Sequence, residues 1–355
     1  MEPQKLYIHA RCPQCGSQLK FAGGKRKLQC TKCKYSRDLG RVGDQVQAKS
    51  LKAGVSVKHF ERGLGPGFKS YQCGGCKSVI AIHHPTPETP PPTHCPFCEG
   101  TSLEETDRHE QVLQPYSLVP FMLSQATAAS ILTKWLKAGP PMLPNEILEI
   151  TGKERLRPVF MPFFMFDSLA RTTWKGEMAI KYLQKKGKGV EEKKAWEPTK
   201  GFLEHFFDDS FVLATAGGGG EFRSVSSYHF RKLVPFDPGY LGDGFVECYQ
   251  KDELKGFEEA EKFMNGQIEG AVRRSIKSRE LKDLKVTNEY TSISFRHVLV
   301  PVWVASYTYR GHRFQYFVNG QNGKVSGAKP ISFPKIFAVV GTITVLTLGL
   351  VWLLS

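Results

Sequence analysis

Hydrophobic and polar positions change period several times along the chain, and each change predicts an element. Ala128, Ile131, Leu132, Trp135 and Leu136 recur at helical spacing, with Ser124 as N-cap and Gly139-Pro140-Pro141 as a stop. The stretch RPVFMPFFMFDSLARTTWKGE (157–177) has the aromatic density of buried strand. YLQKKGKGVEEKKAWEPTKG (182–201) is predicted to be a solvated excursion between strands, its charges those of a wet loop. A long helix is predicted from Asp252 to Asp283. Phe257, Ala260, Met264, Ile268, Ala271, Val272 and Ile276 line one face, and Gly256, Gly266 and Gly270 are placed to break or bend it. Residues 298–327 then read as strands joined by tight turns at Arg310-Gly311 and Asn319-Gly320.

The apolar run Ile336–Leu354 contains no charge over 19 residues. At ~1.5 Å per residue it extends ~28 Å, close to the ~30 Å hydrocarbon core of a bilayer. Pro334 and Lys335 precede it, Lys329 lies upstream and Ser355 follows, so the expectation is a C-terminal transmembrane tail anchor over 334–355. The opening MEPQKLYIHARC has no apolar secretory core. The positive-inside rule then leaves the N-terminal bulk in the cytoplasm, on a single-pass protein of the cytoplasmic membrane.

Composition describes a folded chain: 355 residues, 41% hydrophobic and 12% aromatic. The formal net charge of +15 is uneven. Residues 1–50 hold 11 Lys or Arg against 3 Asp or Glu, and residues 301–355 hold 5 against none. Nine cysteines occur, eight of them in four Cys-x-x-Cys pairs. Cys12/Cys15 with Cys30/Cys33, and Cys73/Cys76 with Cys95/Cys98, have the spacing of two knuckle pairs, each closing one tetrahedral S4 site. Zinc is the expected ion in both, although the same donor set suits iron. Four thiolates leave no open coordination position, so these are structural sites. Each filled site carries −2, which lowers the net charge to about +11. Cytoplasmic thiols stay reduced, which disfavours a disulfide framework. His83, His84 and His94 border the second site without being needed there. Cys248 has no partner and is expected to be a buried core residue.

The domain reading is therefore zinc ribbon 1 (1–40), a linker (41–68), zinc ribbon 2 (69–104), an α+β domain with antiparallel sheet (105–330), and the anchor. Chemistry beyond the cysteines is sparse. No Gly-x-x-x-x-Gly-Lys-Ser/Thr or His-Glu-x-x-His stretch occurs. AGGGGEF (216–222) is expected to be a flexible turn rather than a phosphate cradle. His205, Asp208 and Asp209 read as a surface cluster, since nothing else converges on them. No catalytic or cofactor-binding residue is assigned, and the chain is not expected to be an enzyme.

Cys12–Cys33, YQCGGC with THCPFC, LVPF followed by WLK (118–137) and MPFFMFD (161–167) occur in that order. They continue with DDSFVLATAG (208–217), LVPFDPGYLGDGFVECY (233–249) and LVPVWVASYTYRGHRFQYFVNGQNGKVSG (299–327). This order resembles that of bacterial membrane-anchored proteins with a TFIIB-type zinc ribbon, and the resemblance covers nearly the whole chain. It departs at Glu99, where many relatives have Gly, and at Phe164, where Trp or Tyr is common. Members are often labelled primosomal helicase-related, but the missing ATP-binding loop excludes helicase activity here. The resemblance implies a membrane adaptor for SPFH-domain (flotillin-like) or PspA-like membrane-stress proteins; whether the chain forms a homo- or hetero-oligomer is not read from the sequence.

Two functions from different classes follow. One is a non-enzymatic scaffold that docks protein partners under the membrane, with basic residues touching anionic headgroups. The other is a membrane-tethered nucleic-acid-binding ribbon, motivated by Lys20, Lys25, Arg26 and Lys27 around Gly23-Gly24. Such a surface alone binds weakly and with steep salt dependence, and only Tyr7, Phe21 and Tyr35 are near enough to stack bases. The scaffold is the preferred reading.

Overall fold

Two apolar runs that pair side by side need cover on both faces, and that requirement shapes the architecture. The computed structural model describes residues 12–38 (except 13, 16, 18, 23–26 and 31), 49–50, 62–83, 90–138, 144, 147, 156–186, 189–215, 219–276, 280–329 and 332–354. Its strands are β1 (Leu19–Ala22), β2 (Lys27–Cys30), β3 (Ser36–Asp38), β4 (Lys49–Ser50), β5 (Phe68–Cys73), β6 (Val79–His83), β7 (Leu103–Thr106) and β8 (Ser117–Leu118). They continue with β9 (Arg157–Lys186), β10 (Gly189–Leu213), β11 (Val234–Pro235), β12 (Phe245–Glu247), β13 (Leu281–Tyr309), β14 (His312–Asn319) and β15 (Val325–Gly327). The helices are α1 (Arg108–Gln111), α2 (Gln125–Lys137), α3 (Gly219–Val225), α4 (Glu253–Ser275) and α5 (Phe333–Leu354).

The first three strands form a small sheet of their own, and the others join one 12-stranded sheet. Its centre is the antiparallel pair β9·β13, matched from Arg157↔Val304 to Met178↔Leu281. At the basal end Val159, Met161, Phe163 and Phe166 face Val302, Val300, Val298 and Phe295, all of them buried. These strands are covered on both faces, so their apolar residues run on without alternation. Beyond Asp167 the pattern alternates: Ala170 and Thr172 are buried, Arg171 and Thr173 exposed. From there β10, β9 and β13 leave the body as a three-stranded arm. A register shift between Thr291 and Ser294 marks the change, with Ser292 in left-handed backbone at φ 52°. The mostly buried Asp167 accepts from Arg296 and Ser294 there, each at 3.2 Å.

One face of the arm is covered by α4. Ala260, Met264, Ile268 and Val272 are buried against Phe166, Ala170, Phe207 and Phe295. Asp252 caps the helix by accepting from Lys255 N at 2.7 Å. A polar chain ties the helix to the sheet: Thr172 Oγ1 donates to Asn288 Oδ1 at 2.7 Å, and Tyr290 Oη donates to Asn265 Oδ1 at 2.8 Å. The other flank of the body is covered by α2, whose Ala128, Ala129, Leu132 and Leu136 are buried. Its N-cap is Ser124, which accepts from Thr127 N at 3.1 Å.

Several expectations are corrected. The sheet is mixed, because β12 runs parallel to β9 and β8 parallel to β13. Residues 182–186 and 189–201 are ladder, not loop: Gly189↔Lys186 through Gly201↔Trp174 continue the β9·β10 pairing, with charges on an exposed arm. The long helix ends at Ser275, because Leu281 and Lys282 are paired with Met178 and Glu177 in the sheet. Gly256, Gly266 and Gly270 neither break nor end it. Gly219–Val225 is helical, with Phe222 buried. Arg310-Gly311 does form a tight turn, both residues at positive φ. By contrast, β14 and β15 are joined through residues 320–324, and Asn319 is buried at the start of that turn. Its side chain accepts from Gln321 N and Asn322 N and donates to Val225 O.

The last helix, α5, has 22 residues, and its described side chains over 340–349 are all exposed. Among the described residues no helix is long and apolar enough to cross a membrane. In α5 the longest unbroken stretch of described side chains is 340–349, so the expected span is present as a helix and not shown as a span. Most of the expected linker (41–68) lies outside the described residues, as do His84 and the side chains of Lys20, Lys25, Arg26 and Lys27.

The glycines of α4 differ in what they touch. A Cβ on Gly256 would meet Phe164 at 2.7 Å, whereas one on Gly266 would meet nothing within 4 Å. Gly256→Val is expected to destabilise the chain by about 1–3 kcal/mol through overpacking. Gly266→Ala is expected to stabilise it by about 0.5–1 kcal/mol. Urea unfolding of the two variants beside wild type measures both; equal effects would show that α4 does not pack as described.

Candidate metal centres

A Cys-x-x-Cys pair presents two sulfurs to one point only when the chain reverses tightly around them. All four pairs here do so in the same way. The N–H of the first cysteine donates to the carbonyl five residues on: Cys12 to Ser17 and Cys30 to Tyr35 at 2.7 Å, Cys73 to Ser78 at 3.0 Å, and Cys95 to Gly100 at 2.9 Å. The residue after the second cysteine turns left-handed at Lys34, Lys77 and Glu99, with φ of 61°, 63° and 57°. Glu99 thus takes the conformation that glycine adopts without strain, at the place where the resembled family often has Gly. Backbone donors then point inward: Lys32 N and Cys33 N lie 3.3 and 3.4 Å from Cys30 Sγ.

These turns bring the eight sulfurs together as two groups, Cys12, Cys15, Cys30 and Cys33, and Cys73, Cys76, Cys95 and Cys98. Within each group all four sulfurs lie within 4.8 Å of one another. The close pairs are Cys12–Cys33, Cys15–Cys30 and Cys73–Cys98 at 3.4 Å, and Cys76–Cys95 at 3.6 Å. A zinc ion with Zn–S bonds of ~2.3 Å needs tetrahedral edges of ~3.8 Å, so both groups are near the size that the ion requires. Space around the second group is limited: a Cβ on Gly100 would stand 3.1 Å from Cys98 Sγ. Each group could hold a metal ion, and an all-thiolate set suits zinc.

The second group is built into the body. Cys73 ends β5, β6 follows the turn, and β6 pairs with β12 through Ile80↔Glu247. Its other knuckle is fixed from the core side, where Ser306 Oγ donates to Phe97 O at 2.5 Å and Gln315 Nε2 donates to the same carbonyl. In the first group Cys12 and Cys30 are buried, while Cys33 is exposed.

The sulfurs compete for protons. The Cys76 thiol is lowered to about 4, chiefly by its hydrogen bond with Cys95 and further by the hydroxyl and N–H of Ser78. The same hydrogen bond, together with burial, raises Cys95. Cys15 is lowered to about 6, chiefly by the side chain of Ser17. A divalent cation replaces this sharing of protons with four thiolate bonds. Ser17 and Ser78 were not singled out in the sequence. Their signal is a repeated Cys-x-x-Cys-x-Ser in the leading knuckle of each site.

The remaining candidates do not join. His83 packs tilted against Phe68 with ring centroids 5.0 Å apart, and His94 Nδ1 lies 2.9 Å from Thr93 Oγ1. His205 packs its ring on Phe207, beside the register shift between Phe207 and Ser210; Asp208 is exposed, and the side chain of Asp209 is outside the described residues. Cys248 is buried as expected, and burial pushes its thiol up to about 12. Glu247 is fully buried and accepts from Thr215 Oγ1 at 2.6 Å; burial pushes its carboxyl up to about 8.

Chain purified without chelator is expected to carry two zinc ions, and Cys→Ser at any of the eight positions to lose one. Cys248→Ser is expected to lose neither. Each structural ion contributes several kcal/mol to its module, so the affected ribbon should also lose protection from proteolysis. Elemental analysis that finds one ion or none in wild type would overturn the assignment. Glu247 gives a pH test. Its folded-state pKa lies above the unfolded value, so its contribution to stability is fully present below about 4.5 and is lost as pH rises through about 8. Glu247→Gln is expected to flatten that loss, measured as urea midpoints at pH 5, 7 and 9.

Over 335 residues the chain is 24% identical to the protein named "Uncharacterized protein YdjG" of Bacillus subtilis (strain 168), covering 94% of this chain and 93% of that one. No family model matches the chain. No solved structure matches it. The chain is thus distantly similar, along nearly its whole length, to that protein.

Proposed function

We propose that this chain is a non-enzymatic scaffold held at the cytoplasmic face of a membrane, where two zinc-filled cysteine centres shape modules that dock protein partners. The observation that carries this reading is α5. Its 22 residues extend ~33 Å at ~1.5 Å each. No charge follows Lys335, and Phe337, Val340, Ile343, Val345, Leu346, Leu348 and Trp352 are all exposed. Apolar side chains on every side of a helix are unstable in water, and a bilayer is the solvent that covers them all. Lys329 and Lys335 at its start keep the body on the cytoplasmic side.

The metal centres support a scaffold rather than a catalyst. Both donor sets are complete with four thiolates, so a bound ion has no position for a substrate. The partners that the family resemblance points to are SPFH-type or PspA-like membrane-stress proteins, recruited by the ribbons and the body.

Deleting residues 334–355 is expected to move the protein from the membrane pellet to the soluble fraction with its two ions retained. Crosslinking from intact membranes is expected to recover SPFH-type or PspA-like proteins with the full chain and at least tenfold less with the truncated one. Truncated protein that still pellets after a high-salt wash would sink the anchor. Full chain that recovers no protein partner would sink the scaffold.

A further inference from the structure

The arm carries a rung of three lysines that its own register creates. Lys200 on β10 lies opposite Lys175 on β9, and Lys175 lies opposite Lys285 on β13. All three side chains are exposed, on the face of the arm turned away from α4. Like charges placed directly opposite in a sheet repel, and where Lys181 faces Lys194 on the same arm each is paired with a carboxylate, Lys194 with Glu280. Arg171 is paired with Glu204 at 3.1 Å and Lys181 with Glu192 at 2.7 Å. Among the described residues none of the three lysines has a carboxylate partner.

Register puts them there through a bulge. Between Lys282↔Glu177 and Lys285↔Lys175, β13 spends one residue more than β9. Asp283, in that bulge, has φ 51°. Gly176 admits the bulge, since a Cβ there would stand 3.1 Å from Leu284 Cα. In an unbroken register Leu284 would face Lys175. The bulge instead turns Leu284 toward the apolar cluster under α4 and sets Lys285 in line. The rung borders a hollow of 560 Å³, which Glu177 and Asp283 also line. The next rung toward the body is Phe202, Thr173 and Thr287, all exposed, with Phe202 at 62%.

We infer that this rung is a binding site for a compact phosphate-bearing anion carrying more than one negative charge. Three ammonium groups on adjacent strands supply up to nine donors within the footprint of an oligophosphate, and the threonine hydroxyls of the next rung extend it. A multivalent anion relieves the repulsion that the empty rung carries. Phe202 gives an apolar neighbour to whatever bears the phosphate. Such chemistry belongs both to a free oligophosphate and to a lipid headgroup, and the two are separable by experiment.

The test is titration calorimetry of the full chain in neutral detergent at low ionic strength, with tripolyphosphate and, separately, with water-soluble dihexanoyl phosphatidic acid. Binding of either is expected to weaken about tenfold in each of Lys175→Gln, Lys200→Gln and Lys285→Gln. Lys175→Arg and Lys282→Gln are expected to keep it. Melting temperatures recorded in parallel confine the comparison to folded variants. Tighter binding of tripolyphosphate identifies a free anion, and tighter binding of the phosphatidic acid identifies a headgroup. No binding of either, or binding that the three Gln variants leave unchanged, overturns the site. A single-stranded oligonucleotide bound a hundredfold tighter through the same lysines would replace it with a nucleic-acid surface.

Discussion

The ladder between β9 and β13 is the centre on which the described strands of the large sheet assemble. Its basal half is matched mostly apolar against apolar from Phe160 and Pro301 to Phe166 and Phe295, with His297 opposite Phe164 and Arg296 opposite Met165. Strands of this kind exclude water from their backbone hydrogen bonds and require neighbours above, below and on both edges. The short strands β8 and β12 are added parallel at their flanks, and β12 in turn carries β6 with the second cysteine group. Burial at this ladder thus sets where a metal centre stands, through three consecutive strand pairings rather than through a loop.

Coupling between the core and that centre is direct. Phe97, between Cys95 and Cys98, offers its carbonyl to Ser306 on β13 and Gln315 on β14. Glu247 sits on β12 opposite Ile80, buried between the knuckle strands and the central ladder. The sulfur cluster is therefore packed as part of the body, and an ion bound there would stabilise more than its own knuckles.

Much of this was legible in the sequence, and the reasons are particular. The four cysteine pairs were readable because tetrahedral S4 coordination demands both residue type and spacing. Ser124 and Asp252 were readable as caps because their side chains replace missing helical partners. The arm was not. Its outer half has exposed lysines and glutamates on both faces, so the alternation that signals a half-buried strand is absent, and pairing of β9 with β10 decides the structure instead. The end of α4 was missed for a related reason, since Leu281 and Leu284 continue its apolar pattern while belonging to a strand. Asn319 looked like half of a tight turn because Asn-Gly is a strong local signal; in the fold its side chain is used to hold residues 225–227.

The arm is not uniformly braced along its length. From its base to Met178 it has three strands and a helix on one face, but past Leu281 β9 and β10 are the only strands among the described residues, paired from Ile180↔Ala195 to Lys186↔Gly189. A two-stranded ribbon with both faces in water has little burial to hold its hydrogen bonds closed. Amide protons should therefore exchange with solvent along a gradient, fast at the tip, slower where α4 lies over Ala170, and slowest beneath Phe164. Whatever grips the far end can reshape it at small energetic cost without disturbing the core from which it springs.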